Sequence, residues 1–351
     1  MQIKIILTGD VNLMNADDPA VPFARVADEF ARTDVVFSNL ECCFYDPPGE
    51  HSIHREGFFA QTGNAVALRR GHIDAVGLAN NVNYGEDAIL SSIARLDALG
   101  IPHTGAGAHA AAAYAPVVLE RQGARIGILQ RTAVYWPINH EAASNAAGVA
   151  VIRGHTAYQV PLYKERPESM PLNRPGVAPV IVTWADARYL KRFCDEIRAL
   201  KAQTDFVVAS IHWGLDHDVL EYMTEIAHAA IDAGADAVMG HGPHYSLAVE
   251  CYRGKPVFYG LGSFSFHTGH GGIKSGDWVG MLARIGFDSA SRTITRAAFQ
   301  FVRHSDSNES VLCELAAEGD ILAEVSHASA AFGTRLRPEG DEVVLDLAAS
   351  A

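Results

Sequence analysis

Cysteine is scarce and odd in number, with only Cys42, Cys43, Cys194, Cys251 and Cys313 among 351 residues. No CxxC or CxH spacing occurs. Both facts argue against a disulfide framework or a zinc-thiolate site and favour a reduced, intracellular setting. The adjacent pair Cys42-Cys43 reads as two small residues filling space behind a strand. Basic charge is also short. Lys and Arg total 28 against 41 Asp and Glu, giving a net charge of -13, and no basic run exceeds a pair. A phosphate-binding surface needs a basic patch, so nucleic acid is not expected as a partner. Long apolar runs are missing too. None approaches the roughly 20 residues of a membrane span. The N-terminal run Ile3–Leu7 is too short for a secretory core and lacks a cleavage site. The expectation is a cytoplasmic protein with no membrane partner. Internal repeats are absent.

What is present is apolar content. Hydrophobic residues make up 48% and charged residues 20%, enough for a large globular core. Residues 3–8 read as a buried strand, and Val35-Val36-Phe37 and Ile73–Leu78 as two more. Helical spacing marks residues 22–32, 64–70, 86–99, 186–202 and 217–232, with Gly100 stopping the third. Further strands fall near 116–120, 125–130, 206–211 and 237–239. Hairpins are expected around Arg253-Gly254 and between 278–287 and 292–302. Residues 132–180 hold several Pro and Gly with weak periodicity and read as a long loop or insertion. The domain expectation is one unit over 1–305 including that insertion. Residues 306–351 form an extension packed on it, with a short helix and the strand Val343-Val344-Leu345. Strand-helix alternation in the first half implies parallel sheet, and the later hairpins imply mixed sheet. Two packed sheets with helices outside satisfy both.

Polar residues fall in a pattern. Asp10, Asn39 and Glu41, Asn80 and Asn81, His212, and His241 and His244 each follow an apolar strand. Ligands of open α/β sheets sit beyond the carboxyl ends of the strands. Five strands therefore deliver Asp, Glu, Asn and His to one edge. Those donors suit borderline divalent ions such as Mn, Zn or Fe. Six of them exceed the three protein ligands of a mononuclear catalytic zinc site, and two metals would use them all. Taken singly, each residue has a plainer role: Asp10 as a turn or cap, Glu41 as a loop charge, Asn80-Asn81 as a turn, His212 as a packed imidazole. The pair in Gly240-His241-Gly242-Pro243-His244 is harder to explain without a function. His51, His54, His267 and His270 lie in Gly- and Pro-containing stretches and read as exposed loop residues.

These segments resemble the CapA family, the poly-γ-glutamate capsule-synthesis-like proteins of the calcineurin-like metallophosphoesterase superfamily. The resemblance rests on Thr8-Gly9-Asp10, Asn39-Leu40-Glu41, Leu78-Ala79-Asn80-Asn81, His212-Trp213-Gly214, Gly240-His241-Gly242-Pro243-His244 and Phe258-Tyr259-Gly260-Leu261-Gly262-Ser263-Phe264. It implies a four-layer αββα sandwich with mixed sheets. It also implies roles: Asp10 and His244 on a first metal, Asn81, His212 and His241 on a second, and Glu41 bridging. The chain departs from the family pattern at Val82, where a His usually follows the two asparagines. It departs again at Gly242, usually His, and at Asp216, where Glu is common.

The expected function is a dinuclear metal-dependent hydrolase using a metal-bridging hydroxide. With the phosphatase-type His missing, the expected bond is an amide, lactam or ester of a small molecule or γ-glutamyl compound. Phosphoester hydrolysis and a non-catalytic ligand-binding role remain the alternatives. Asn80, Asp216 and His244 are the candidate catalytic residues, with Asp216 orienting His212. Asn12, Arg131, Tyr135 and Trp136 are the candidate substrate contacts. Self-association through the acidic tail is left open.

Overall fold

The structure is a computed structural model, and it describes residues 1–49, 57–136, 140–159, 176, 178–266 and 278–348. The larger of its sheets has ten strands. Their path runs Leu336–Glu339, Glu342–Leu345, Thr293–His304, Gly280–Asp288, Gln2–Asn12, Val35–Leu40, Ala75–Gly77 and His103–Thr104. Ser263–Phe266 adds to the Gln2–Asn12 strand, and Ser310–Leu312 to the Thr293–His304 strand. The second sheet has six strands: Val249–Tyr252, Lys255–Phe258, Ala237–His241, Phe206–His212, Ala124–Thr132 and Val117–Arg121. Each sheet is mixed. Gln2–Asn12, Val35–Leu40, Ala75–Gly77 and His103–Thr104 pair in parallel, as do Ala124–Thr132, Phe206–His212, Ala237–His241 and Lys255–Phe258.

The side-chain alternation of these strands sets the layers. Ile5, Leu7, Phe37 and Ala75 of one sheet meet Ile126, Ile128, Phe206, Val208 and Met239 of the other in a buried inter-sheet core. On the far face of the larger sheet, Ile6, Val36 and Val76 pack against Phe23, Phe30, Leu68, Ile89 and Leu96. On the far face of the smaller sheet, Val207, Ala209, Ile211 and Val238 pack against Phe193, Ile197, Ile226 and Ala230. The last four belong to helices Ala187–Lys201 and Glu221–Ala233. This is the expected four-layer αββα sandwich. Local signals hold the helices in place. Asp186 accepts from the N–H groups of Arg188 and Tyr189, and Gly100 closes the Glu86–Leu99 helix in the left-handed region.

Two regions differ from the sequence expectation. The stretch read as an irregular insertion contains Gly154–Gln159, paired antiparallel with Val180–Ala185. Thr183 and Ala185 tie that pair to the helix Glu221–Ala233 by donating backbone N–H groups to Glu221 and Glu225. Gly154–Gln159 is exposed throughout and holds one large apolar residue, Tyr158, so it has no apolar period to read. Beyond residue 305 there is more than one strand. A hairpin of Leu336–Glu339 and Glu342–Leu345 extends the larger sheet through Val343 opposite Phe299, and Gly319–Ala330 is a helix of 12 residues. His51, His54, His267 and His270 lie outside the described residues. Among the described residues, no helix is long and apolar enough to cross a membrane. All five cysteines are free thiols. Burial pushes the Cys42 thiol up to about 12 and raises Cys43 as well, which suits packing and not redox chemistry.

Candidate metal centre

The sandwich brings the carboxyl ends of both parallel sets to one edge. Asp10 lies within the first strand, not after it, at a point where the register with Val35–Leu40 shifts between Thr8 and Asp10. Such a bulge re-aims a side chain. Gly9 permits it, because a Cβ there would overlap the carbonyl of Gly262, to which the Asp10 N–H donates. Glu41 follows directly on Val35–Leu40. His212 and His241 end adjacent parallel strands and are register partners. The chain then turns through Gly242, at φ +119°, to His244, at φ +67°. A non-glycine residue held in the left-handed region is strained backbone of the kind found at functional sites.

The donors converge. Asp10 Oδ1 lies 3.5 Å from His241 Nδ1, and Asp10 Oδ2 lies 3.1 Å from His244 Nδ1. His212 Nδ1 and His241 Nδ1 are 3.0 Å apart. Glu41 Oε1 sits between the outer nitrogens of two rings, 3.9 Å from His212 Nε2 and 3.7 Å from His244 Nε2. Asn81 Oδ1 is 2.9 Å from His212 Nε2. Two overlapping triads result, Asp10-His212-His241 and Asp10-Glu41-His244, with the ligand atoms of each within 4.8 Å of one another.

The electrostatics call for positive charge. Asp10 and Glu41 are both buried. Burial opposes ionisation of Asp10, but His241 and His244 outweigh it and hold its carboxyl well below the usual range. Burial, and then the charge of Asp10, push Glu41 well above its usual range. Burial and the neighbouring His241 lower His212 to about 3. Glu41 Oε2 is buried with no hydrogen-bond partner among the described residues. A buried carboxylate with an orphan oxygen beside a second carboxylate is costly without a cation. The donor set, two carboxylates, three imidazoles and an amide oxygen, fits borderline divalent ions.

Comparison with known proteins agrees with the motif pattern. A family model described as bacterial capsule synthesis protein PGA_cap matches residues 4–268. The chain belongs to the PGA_cap family. An uncharacterized protein of Sinorhizobium fredii is 26% identical over 310 residues, covering 75% of this chain and 66% of its own length. A probable polyglutamine synthesis accessory protein of Mycobacterium tuberculosis is 30% identical over 257 residues, covering 70% of this chain and 60% of its own length. The matched region thus spans less than two thirds of these relatives. A phosphatase structure from Mycoplasma pneumoniae aligns over 86% of this chain and 94% of its own with TM-score 0.47 and 11% identity, too distant to bear on function.

In this PGA_cap chain Asp10, Glu41, Asn81, His212, His241 and His244 meet at one edge. Other candidates do not reach it as expected. Asn80 is adjacent, but its amide is consumed. It donates to Asn39 Oδ1 and the Leu40 carbonyl, and accepts from Val82, Asn83 and the Asn83 side chain. It builds the loop and has no group left for proton transfer. Asp216 is exposed, at φ +57°, 3.8 Å from His217 Nε2; the acceptor that orients His212 is Asn81 instead. Arg131 is buried and turned away from the edge. It is ion-paired with Glu196, hydrogen-bonded to the carbonyls of Gln130 and Tyr114, and stacked on Tyr114. Asn12 is buried, its amide oxygen accepting from Met14 N–H. Tyr135 is half-buried beside Arg153. Trp136 is exposed, and its indole N–H donates to the Asn81 carbonyl at 3.2 Å, which places it over the site.

Three residues escaped sequence reading. Gln130 and Ser210 sit on the inward faces of otherwise apolar strands and both touch His241. A polar residue interrupting an inward apolar series (Ile126, Ile128, Gln130) was the available signal. His140 accepts from Trp136 N–H and lies 2.7 Å from the Asn83 carbonyl, joining the insertion to the Asn80–Asn83 loop. Burial lowers it to about 4, so it stays neutral.

Proposed function

We propose that this chain is a dinuclear metal-dependent hydrolase acting on an amide, lactam or ester bond of a small molecule or γ-glutamyl compound. One observation carries the proposal: the buried Asp10–Glu41 carboxylate pair, ringed by three imidazoles, with Glu41 Oε2 unpartnered. Asp10, His212 and His241 would hold one Mn, Zn or Fe ion, and Asp10 or Glu41 with His244 the other. Bound there, such ions would lower the pKa of a coordinated water toward neutrality and so supply hydroxide. The chain's own residues define the rest. Asn81 orients His212. Trp136 and Tyr84, with ring centroids 6.1 Å apart, form an aromatic wall beside the site.

The preference for carbonyl over phosphoryl chemistry rests on Val82, which is buried where the family usually has an imidazole. His140 does not replace that group, because both of its ring nitrogens are engaged. The γ-glutamyl suggestion comes from the resemblance to the CapA family, and the second reading from the name of a relative. A probable polyglutamine synthesis accessory protein among them makes a non-catalytic, ligand-binding role on the same scaffold the rival account. A cytoplasmic setting belongs to the same proposal.

Elemental analysis of purified protein tests it, with His241→Ala and Glu41→Ala alongside. About two equivalents of transition metal, reduced in both variants, support the site. A panel of aryl phosphates, esters and γ-glutamyl amides then separates the reactions. No metal after reconstitution with Mn or Zn would leave the binding scaffold as the better account.

A further inference from the structure

Gln130 and Ser210 are register partners on adjacent strands, and both are fully buried. Both point at the same atom, His241 Nε2, from 3.1 Å and 2.9 Å. The direction of the Gln130 amide is fixed by its other contacts. Its Oε1 accepts the Ala79 backbone N–H at 2.7 Å, so its NH2 is the end facing Asn39 Oδ1 and His241. Space is reserved for this side chain. A Cβ on Gly77 would overlap the Gln130 amide, and one on Gly105 would come within 2.8 Å of its Oε1.

An amide NH2 can only donate, so Gln130 requires a lone pair at His241 Nε2. The neutral ring then carries its hydrogen at Nδ1. That hydrogen has an acceptor, because Asn81 Oδ1 takes the His212 Nε2–H and leaves His212 Nδ1 as a lone pair 3.0 Å away. The metal-free network then runs from Gln130 to His241, His241 to His212 and His212 to Asn81, with Asp10 Oδ1 a second acceptor 3.5 Å from His241 Nδ1. A cation held by both Nδ1 atoms needs the other tautomer of His241, with hydrogen on Nε2. Gln130 cannot accept that hydrogen. The Ser210 hydroxyl can, by turning from donor to acceptor.

We propose that Gln130 and Ser210 are positioning residues with opposed effects on His241, Gln130 holding the metal-free tautomer and Ser210 the ligand tautomer. The change moves one hydrogen across the ring and neither gains nor loses a proton overall. The inference rests on the metal reading above for its consequence, but its first test does not. In metal-free protein with 15N-labelled histidine, the His241 ring should be in the Nδ1–H form. In Gln130→Glu, whose carboxylate still accepts from Ala79 and also accepts from Nε2–H, it should shift to the Nε2–H form. Cobalt(II) titration is the second test. Ser210→Ala should bind about 10–100-fold more weakly than the parent, Ser210→Thr should recover most of that loss, and Gln130→Glu should bind more tightly. An Nε2–H ring in the metal-free parent would overturn the proposal, as would unchanged cobalt affinity in Ser210→Ala. If the parent takes up no cobalt at all, the metal reading fails, and the ring tautomer alone decides this proposal.

Discussion

Glu41 Oε1 lies 3.7 Å from His244 Nε2, while the other oxygen of the same carboxylate meets no donor among the described residues. In the metal-free chain this makes Glu41 a burden that grows with pH. Its folded pKa is raised above the ordinary 4.5, so the folded state keeps the proton longer than the unfolded chain does. The resulting stability is full below about 4.5 and is lost as pH rises toward the folded value. Asp10 has the opposite sign: held below its ordinary value, it contributes above about 3.8 and is lost on acidification. His212 and His140, lowered by burial, act with the opposite sign below about 6.5, so the informative comparison is with Glu41→Gln. In urea unfolding with chelator the parent should lose stability relative to that variant as pH rises above about 4.5, and added Mn or Zn should reverse the loss in the parent alone. A difference between the two that does not change with pH would contradict this.

Asp10 is the carboxylate common to both triads, with one oxygen toward each. Asp10→Asn should therefore abolish nearly all metal uptake. His244→Ala, which touches only the second triad and is partly exposed, should lose about one equivalent of two. Plasma mass spectrometry on dialysed protein gives both numbers. Equal loss in the two variants would show that the triads do not fill independently.

Arg131→Ala should cost stability and leave substrate binding alone. The guanidinium is buried against Tyr114 and Phe193 and paired with Glu196, which remains partly exposed. Losing that packing and pairing is expected to cost about 2–4 kcal/mol. The check is denaturant unfolding beside steady-state kinetics. A raised KM with unchanged stability would return Arg131 to the substrate.

Trp136→Ala is the converse case. The side chain is 56% exposed and bound mainly through its indole N–H to the Asn81 carbonyl. Its removal should change stability by less than about 1 kcal/mol. It should raise KM, or the Kd of a ligand followed by tryptophan fluorescence, several-fold. Trp136→Phe should recover part of the effect through the ring alone. Unaltered binding in both would remove the aromatic wall from the proposal.

The layers of the fold were legible because the strands near Asp10, Glu41, His212 and His241 are apolar on both faces, as buried parallel strands must be. The same contrast exposed the six candidate ligands: a polar residue stands out at the end of an apolar run. Side-chain direction was not legible. Arg131 and Gln130 are neighbours on one strand, and alternation sends Gln130 to the site and Arg131 to the helix layer. Asp216 follows His212 by four residues, but a left-handed turn carries it into solvent. The pairing of Gly154–Gln159 with Val180–Ala185 was missed because Gly154–Gln159, exposed along its length, has no apolar period to read.

The closeness of Asp10 to the turn after His241 has a consequence for synthesis. The Gly242 N–H donates to Asp10 Oδ2 across 232 residues of sequence. The donor atoms come from five strand ends scattered along the chain, and none of the triads is local. A ribosome that has made only the first sheet's parallel strands has produced Asp10 and Glu41 but no imidazole partner for either. Cation capture at the proposed site would then wait for residue 244 to emerge and for both sheets to dock. Bound metal in this protein would thus mark a chain that has finished folding, and newly made chains stalled before that point should leave the cell's free ions untouched.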